Sequence, residues 1–194
     1  MKRILAVAAV LALIWFAGGA TANADTITWP ASGFTGITSP DSLTLGGITF
    51  WYDNFGDGTQ SAYVSSSGVQ GTTGGALYLD FATPATSLDF SFLLHSFNPA
   101  GDLSSVVTAV FSNNDVAWAP GAFAAGDASG LFSYMGPAFS QAAIYFSIDA
   151  PNFLVSNVSY TPAPLPGAFL LLTSGMAALG YMRFFHRKNS GNAA

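Results

Sequence analysis

The sequence predicts an all-β fold, a jelly-roll-like β-sandwich, flanked by two terminal segments of membrane type. Three observations predict it. Between the termini, apolar residues alternate with polar ones, and no stretch sustains the helical period of about 3.6. Turn-forming runs separate the alternating stretches. Charge is partitioned along the chain. The five basic residues, Lys2, Arg3, Arg183, Arg187 and Lys188, lie in the end segments, whereas the ten acidic residues are all Asp and lie between Asp25 and Asp149.

Residues 1–24 carry Lys2 and Arg3, an apolar run from Ile4 to Ala17, and small residues ending in Ala22-Asn23-Ala24. A basic start, an apolar middle and a small-residue exit form the pattern of a secretory signal peptide. Cleavage is expected after Ala24, leaving Asp25 as the first mature residue. An uncleaved N-terminal anchor is the alternative.

Residues 25–160 form the predicted sandwich, long enough to bury a core of their own. Ile48, Phe50 and Tyr52 mark one strand. Leu77, Leu79 and Phe81 share a face in Ala76 to Phe81. Leu88, Phe90, Phe92 and Leu94 do so in Ser87 to His95, with Asp89, Ser91 and His95 opposite. Ser105 to Ser112 is a β-branched run. Ile144, Phe146 and Ile148 line one face of Gln141 to Asp149, and Leu154, Val158 and Tyr160 line one face of the last strand, Phe153 to Tyr160. Turns are expected at Asn54 to Gly58, Gly71 to Gly75, Asn98 to Asp102 and Asn113 to Asp115.

Composition excludes several kinds of chemistry. Cysteine is absent, so disulfides and thiolate sites are ruled out. The body has no Lys or Arg to neutralise phosphates, which argues against nucleic acid and leaves cations and neutral sugars as compatible ligands. A phosphate loop needs a lysine that the body lacks. His95 is the single histidine outside the tail, and no Gly-x-Ser-x-Gly elbow accompanies it, so a catalytic triad is not legible. Two carboxylates at a suitable separation would serve glycoside hydrolysis, but nothing singles out a pair.

Two local features invite a ligand. Asp53 and Asp57 place carboxylates on one turn, as calcium requires, although Phe55 and Val64 stand where an EF-hand would supply oxygens. A solvated Asp/Gly turn is the simpler reading. Trp51 and Tyr52, with Phe55 and Tyr63 nearby, could stack on sugar rings. Core packing is the usual fate of strand aromatics, and Trp118 has the same two readings.

Residues 161–194 close the chain. The proline-rich Pro162-Ala163-Pro164-Leu165-Pro166-Gly167 favours an extended backbone. The uncharged stretch 165–182 would span roughly 27 Å as a helix, enough for a bilayer core. Arg183, His186, Arg187 and Lys188 follow within 183–188 and would stay cytoplasmic, leaving the body outside.

Proline motif, short apolar span and basic stop together resemble the PEP-CTERM sorting domain, and Ala163 to Ala168 is similar to its VPLPA-type variant. Ala163 stands where the namesake glutamate would be. Leu79 to Pro84 leading into Leu88-Asp89-Phe90, with the closing Phe153 to Tyr160, also loosely resembles the sandwich domains found upstream of such tags. The resemblance implies a Gram-negative bacterium, passage through the Sec translocon, a precursor anchored in the inner membrane, and sorting by an exosortase to the cell surface or beyond. The expected function is that of a non-enzymatic structural or adhesive component of an envelope or biofilm. A calcium-dependent carbohydrate-binding module contacting exopolysaccharide is the alternative, with a secreted glycoside hydrolase third.

Overall fold

Alternation builds the strands, because each second side chain points to the same face of a pleated strand. The computed structural model describes residues 23–164. Ala22, Leu165, Pro166, Gly167, the apolar span 165–182, and Arg183, Arg187 and Lys188 lie outside the described residues. Within them every regular element is a strand, and no helix is long and apolar enough to cross a membrane. The strands are β1 (Asp25–Thr26), β2 (Thr35–Gly36), β3 (Leu43–Leu45), β4 (Ile48–Asp53), β5 (Ala62–Ser65) and β6 (Gly68–Thr72). They continue with β7 (Ala76–His95), β8 (Val107–Phe111), β9 (Val116–Ala119), β10 (Ala122–Ala124), β11 (Asp127–Phe146) and β12 (Asn152–Pro162).

Two strands of 20 residues, β7 and β11, organise the rest. The first half of β7 lies between β4 and the second half of β11, as the pairs Trp51↔Tyr78 and Ala143↔Tyr78 record. The second half lies between β12 and the first half of β11, through Val155↔Phe92 and Gly130↔Phe92. Both long strands therefore pass from one layer into the other. Register breaks in β11 between Met135 and Gln141 mark the crossing, opposite the exposed Ala82 to Pro84 of β7. One layer runs β3, β4, β7, β11, β8, β9; the other runs β2, β5, β6, β12, β7, β11, with β1 on β12 and β10 on β11.

The core lies between these layers. Phe146 stacks on Phe153 at 4.1 Å between ring centroids, Phe81 meets Tyr160 at 5.3 Å, and Tyr52 meets Phe153 at 6.2 Å. In each pair one ring comes from each layer. Gly71, opposite both Ala62 and Phe153, sits directly under the Phe153 ring. Among the described residues every buried side-chain nitrogen or oxygen has a hydrogen-bond partner. The outermost strands β2, β3, β9 and β10 are four residues long or less. Short edges offer little template for pairing with another chain.

The all-β expectation holds, and several details differ. Ala76 to Phe81 and Ser87 to His95 are one strand rather than two. Gly71 belongs to β6 and not to a turn. β11 ends at Phe146, so Ile148 is 84% exposed instead of sharing a buried face with Ile144. A bulge between Ser156 and Ser159, with Asn157 at a positive φ of 50°, inverts the phase of β12. Phe153 and Val155 therefore point inward before the bulge and Val158 and Tyr160 after it, while Leu154 turns to the outer face. The last strand runs past residue 160. Thr161 pairs with Ser87, Pro162 pairs with Ala85, and the Ala163 amide donates to the Pro84 carbonyl at 2.6 Å.

Candidate functional site

The outer face of the layer containing β4 carries an aromatic set. It follows from the alternation itself. Ile48, Phe50 and Tyr52 fill the core, so Thr49, Trp51 and Asp53 face out. Leu77 and Leu79 are buried, so Tyr78 and Asp80 face out. Ile144 and Phe146 are buried, so Ala143 and Tyr145 face the other way. Across the strands this gives one row of Trp51, Tyr78, Ala143, Val110 and Val116, and a neighbouring row of Tyr145, Thr108 and Trp118. Trp118 is 65% exposed and Tyr145 36%. Two strand steps separate them, roughly 10 Å.

Trp51 and Tyr78 stack face to face at 4.0 Å and 6°. The Trp51 indole N–H donates to Asp80 Oδ2 at 2.8 Å, and the Gln141 amide donates to Asp80 Oδ1 at 2.6 Å. Asp80 thus holds the tryptophan upright on the sheet. A third row, Thr44, Thr49, Asp80, Gln141 and Ser112, is wholly polar, and Thr44 and Thr49 share a 2.8 Å hydrogen bond. Burial, and then the neighbouring Tyr145, push the Tyr78 phenol above its ordinary value, so it stays a neutral hydroxyl at physiological pH. The face combines flat apolar rings with a parallel rim of amide, hydroxyl and carboxylate groups. Such a surface suits a ligand with one apolar and one hydroxylated aspect.

Of the ligand residues expected from sequence, Trp51 lies on this face and Tyr52 does not. One position along a strand reverses the side, and Tyr52 is fully buried, with its hydroxyl donating to the Thr72 carbonyl at 2.6 Å. Burial raises its pKa. A ring closed inside the core cannot stack on a sugar, so that expectation for Tyr52 is corrected. Asp53 and Asp57 serve their own turn. Asp53 Oδ1 accepts the Phe55 N–H at 2.8 Å, and Asp57 Oδ1 accepts the Thr59 N–H at 3.0 Å and the Thr59 hydroxyl at 2.7 Å. These bonds hold the Asp57 carboxyl below its ordinary range, the Thr59 backbone contributing most. Among the described residues no three His, Asp or Glu side chains converge as metal ligands.

Asp25 opens β1 opposite Tyr160, next to Ala24. Pro162 and Ala163 are tied to the sheet as described, and Pro164 ends the described residues. Sequence reasoning missed Tyr78 and Tyr145 as site residues. The signal was present, since each is an aromatic at the out-of-phase position between two core residues.

No protein-family model matches the sequence, and no curated protein matches it. Among solved structures the chain is similar to a xylan-binding module, CBM15, at 14% identity and a TM-score of 0.42, covering 74% of this chain and 98% of that one. It is also similar to a family 29 carbohydrate-binding module complexed with mannohexaose, at 11% identity and a TM-score of 0.38, covering 68% and 93%. A family 29 module from Piromyces equi gives 7% identity and a TM-score of 0.38, covering 69% and 93%.

Proposed function

We propose that the chain is an exported, non-catalytic carbohydrate-binding protein whose two-layered body is a jelly-roll-like β-sandwich. The single observation that carries the reading is the outward set Trp51, Tyr78, Tyr145 and Trp118 beside a polar row, on a body without Lys or Arg. A pyranose ring has apolar C–H faces and a hydroxylated edge, and this surface offers a partner to each. The acidic body repels carboxylated glycans, so the favoured ligand is a neutral, extended polysaccharide. Asp53 Oδ1 and Asp57 Oδ1 are engaged in turn bonds, and the contacts proposed for the sugar call on neither carboxylate.

Glycan retention by the body accounts for a structural or adhesive role in an extracellular matrix. The two ends supply the route: export by the residues 1–24, then membrane anchoring and exosortase sorting through Pro162 to Gly167 and the basic stop. Affinity electrophoresis through gels containing neutral polysaccharides tests the binding. Trp118→Ala should weaken retention about tenfold, the equivalent of about 1.4 kcal/mol of lost stacking. Retention unchanged in Trp118→Ala and Tyr145→Ala together would remove the reading. For sorting, deletion of the exosortase should leave a larger, membrane-held form on an immunoblot, and an unchanged band would count against it.

A further inference from the structure

The opposite layer carries a groove that the aromatic face does not explain. Ser61, Tyr63, Gln70, Thr72, His95 and Asn152 line an open groove of about 320 Å³, within the range of small-molecule sites. Its position follows from register. Thr72, Asn152 and His95 stand side by side on β6, β12 and β7, with Tyr63 and Gln70 paired one step away.

The lining is built and not merely exposed. The Tyr63 hydroxyl donates to Gln70 Oε1 at 3.0 Å, and Gln70 Nε2 donates to Ser65 Oγ at 3.1 Å, which fixes the amide. His95 Nδ1 lies 3.5 Å from Asp127 Oδ2, and Asp127 Oδ1 accepts the Ser96 N–H at 2.9 Å. That contact sets Asp127 beside the imidazole at the rim of the groove. The His95 and Asn152 side chains are exposed and both line the groove, within reach of a ligand's hydroxyls. Phe34, 77% exposed, stands edge-on to Tyr63 at 5.3 Å and braces that ring from outside the groove.

We propose that this groove is a second saccharide site, taking a short or terminal neutral sugar unit, and that one domain therefore joins two glycan chains. Tyr63 supplies apolar contact. Asn152, His95, Thr72 and Ser61 supply hydroxyl-matching donors and acceptors in one concave place. Asp127 beside His95 disfavours a carboxylated sugar. The two sites lie on opposite outer faces of the core, so neither ligand blocks the other. The joining of two chains rests on the aromatic-face reading above; the groove itself does not.

The test uses the full chain, a printed array of neutral oligosaccharides, and two variants at exposed positions. Trp118→Ala weakens the first site about tenfold and Asn152→Ala the second, with His95→Ala as a further groove variant. Trp118→Ala should still bind a subset of the array within about twofold of the parent. Asn152→Ala and His95→Ala should lose that subset about tenfold or more and keep the rest. The parent should precipitate a neutral polysaccharide carrying both motifs, and each single variant should bind it without precipitating it. If Trp118→Ala binds nothing on the array, the groove is no saccharide site and the proposal is overturned while the aromatic face stands. If Trp118→Ala changes nothing and Asn152→Ala loses everything, the groove stands and the aromatic-face reading falls with the joining of chains.

Discussion

Replacing Gly71 by alanine should destabilise the domain, although alanine normally suits a strand better than glycine. A Cβ at position 71 would lie 2.7 Å from the Ala62 Cβ and 2.9 Å from two ring carbons of Phe153. Ordinary carbon contacts begin at about 3.5 Å. The ring has nowhere to retreat, because its other side is stacked on Phe146 at 4.1 Å and 11°, with Tyr52 at 6.2 Å. Overpacking of this kind costs about 1–3 kcal/mol. The stiffer unfolded chain returns about 0.4–1 kcal/mol of that. The net loss is about 1–2 kcal/mol, a fall of roughly 3–8 °C in Tm for a domain of this size. Thermal unfolding followed by near-ultraviolet circular dichroism measures it. Gly36→Ala is the control: nothing lies within 4 Å of its Cβ position, so its Tm should move by less than a degree or rise slightly. Gly71→Ala as stable as the parent would refute the view that the layers lock through Phe153.

Asp80→Ala should strip two side-chain donors of their acceptor and cost about 1–2 kcal/mol, while flattening the near-ultraviolet signal of the Trp51–Tyr78 stack. Its thermal unfolding and spectrum should recover partly in Asp80→Asn, which keeps one acceptor oxygen. The phenols of Tyr52, Tyr78, Tyr134 and Tyr160 are raised above 10.0, each chiefly by burial. Because the unfolded chain releases those protons first, the stability they contribute is complete below pH 10 and is lost as pH rises through the folded values. A spectrophotometric titration should show a late-ionising tyrosine class that disappears in denaturant. Asp57 is lowered from 3.8, chiefly by the Thr59 N–H, so its contribution is complete above that pH and is lost as pH falls through the folded value. The protection of the Thr59 amide, measured as exchange relative to its intrinsic rate at each pH, should fall in that acid range and should already be lost at neutral pH in Asp57→Ala.

The parts of the fold legible in the sequence are those where alternation is written in large apolar side chains. Leu77, Leu79 and Phe81, then Leu88, Phe90, Phe92 and Leu94, name both halves of β7, and the change from odd to even numbers between them marks the crossing of layers. The first half of β11 was hard to see because its first two inward positions are small and because the exposed Leu131 and Met135 put apolar residues on the outer face beside the buried Phe132. Ala128 and Gly130 face the core there, and Gly130 is bare because a Cβ would lie 2.5 Å from the Phe92 ring. Room for a large side chain in one strand is made by an absent one in its neighbour, and a single-strand pattern cannot register that. The bulge at Asn157 hid the phase of β12 for a similar reason, since one extra residue exchanges inside for outside. At the site, Trp51 was legible from its neighbourhood. Trp118 was named as a candidate and Tyr145 carried the signal of an out-of-phase aromatic, but their adjacency was not legible, because it comes from pairing across β11, β8 and β9. The groove around Asn152 and His95 likewise joins residues far apart in the chain.

The last strand to be synthesised, β12, is flanked on both sides, by β7 along its length and by β6 and then β1 on the other edge. Its partner β1 is the first strand of the body. The layer containing β12 therefore cannot close until the stretch up to Pro162 is in place, although local hairpins such as β3–β4 and β5–β6 can form before it. Pairing of the body's first strand with its last then acts as a latch that only the finished body can set.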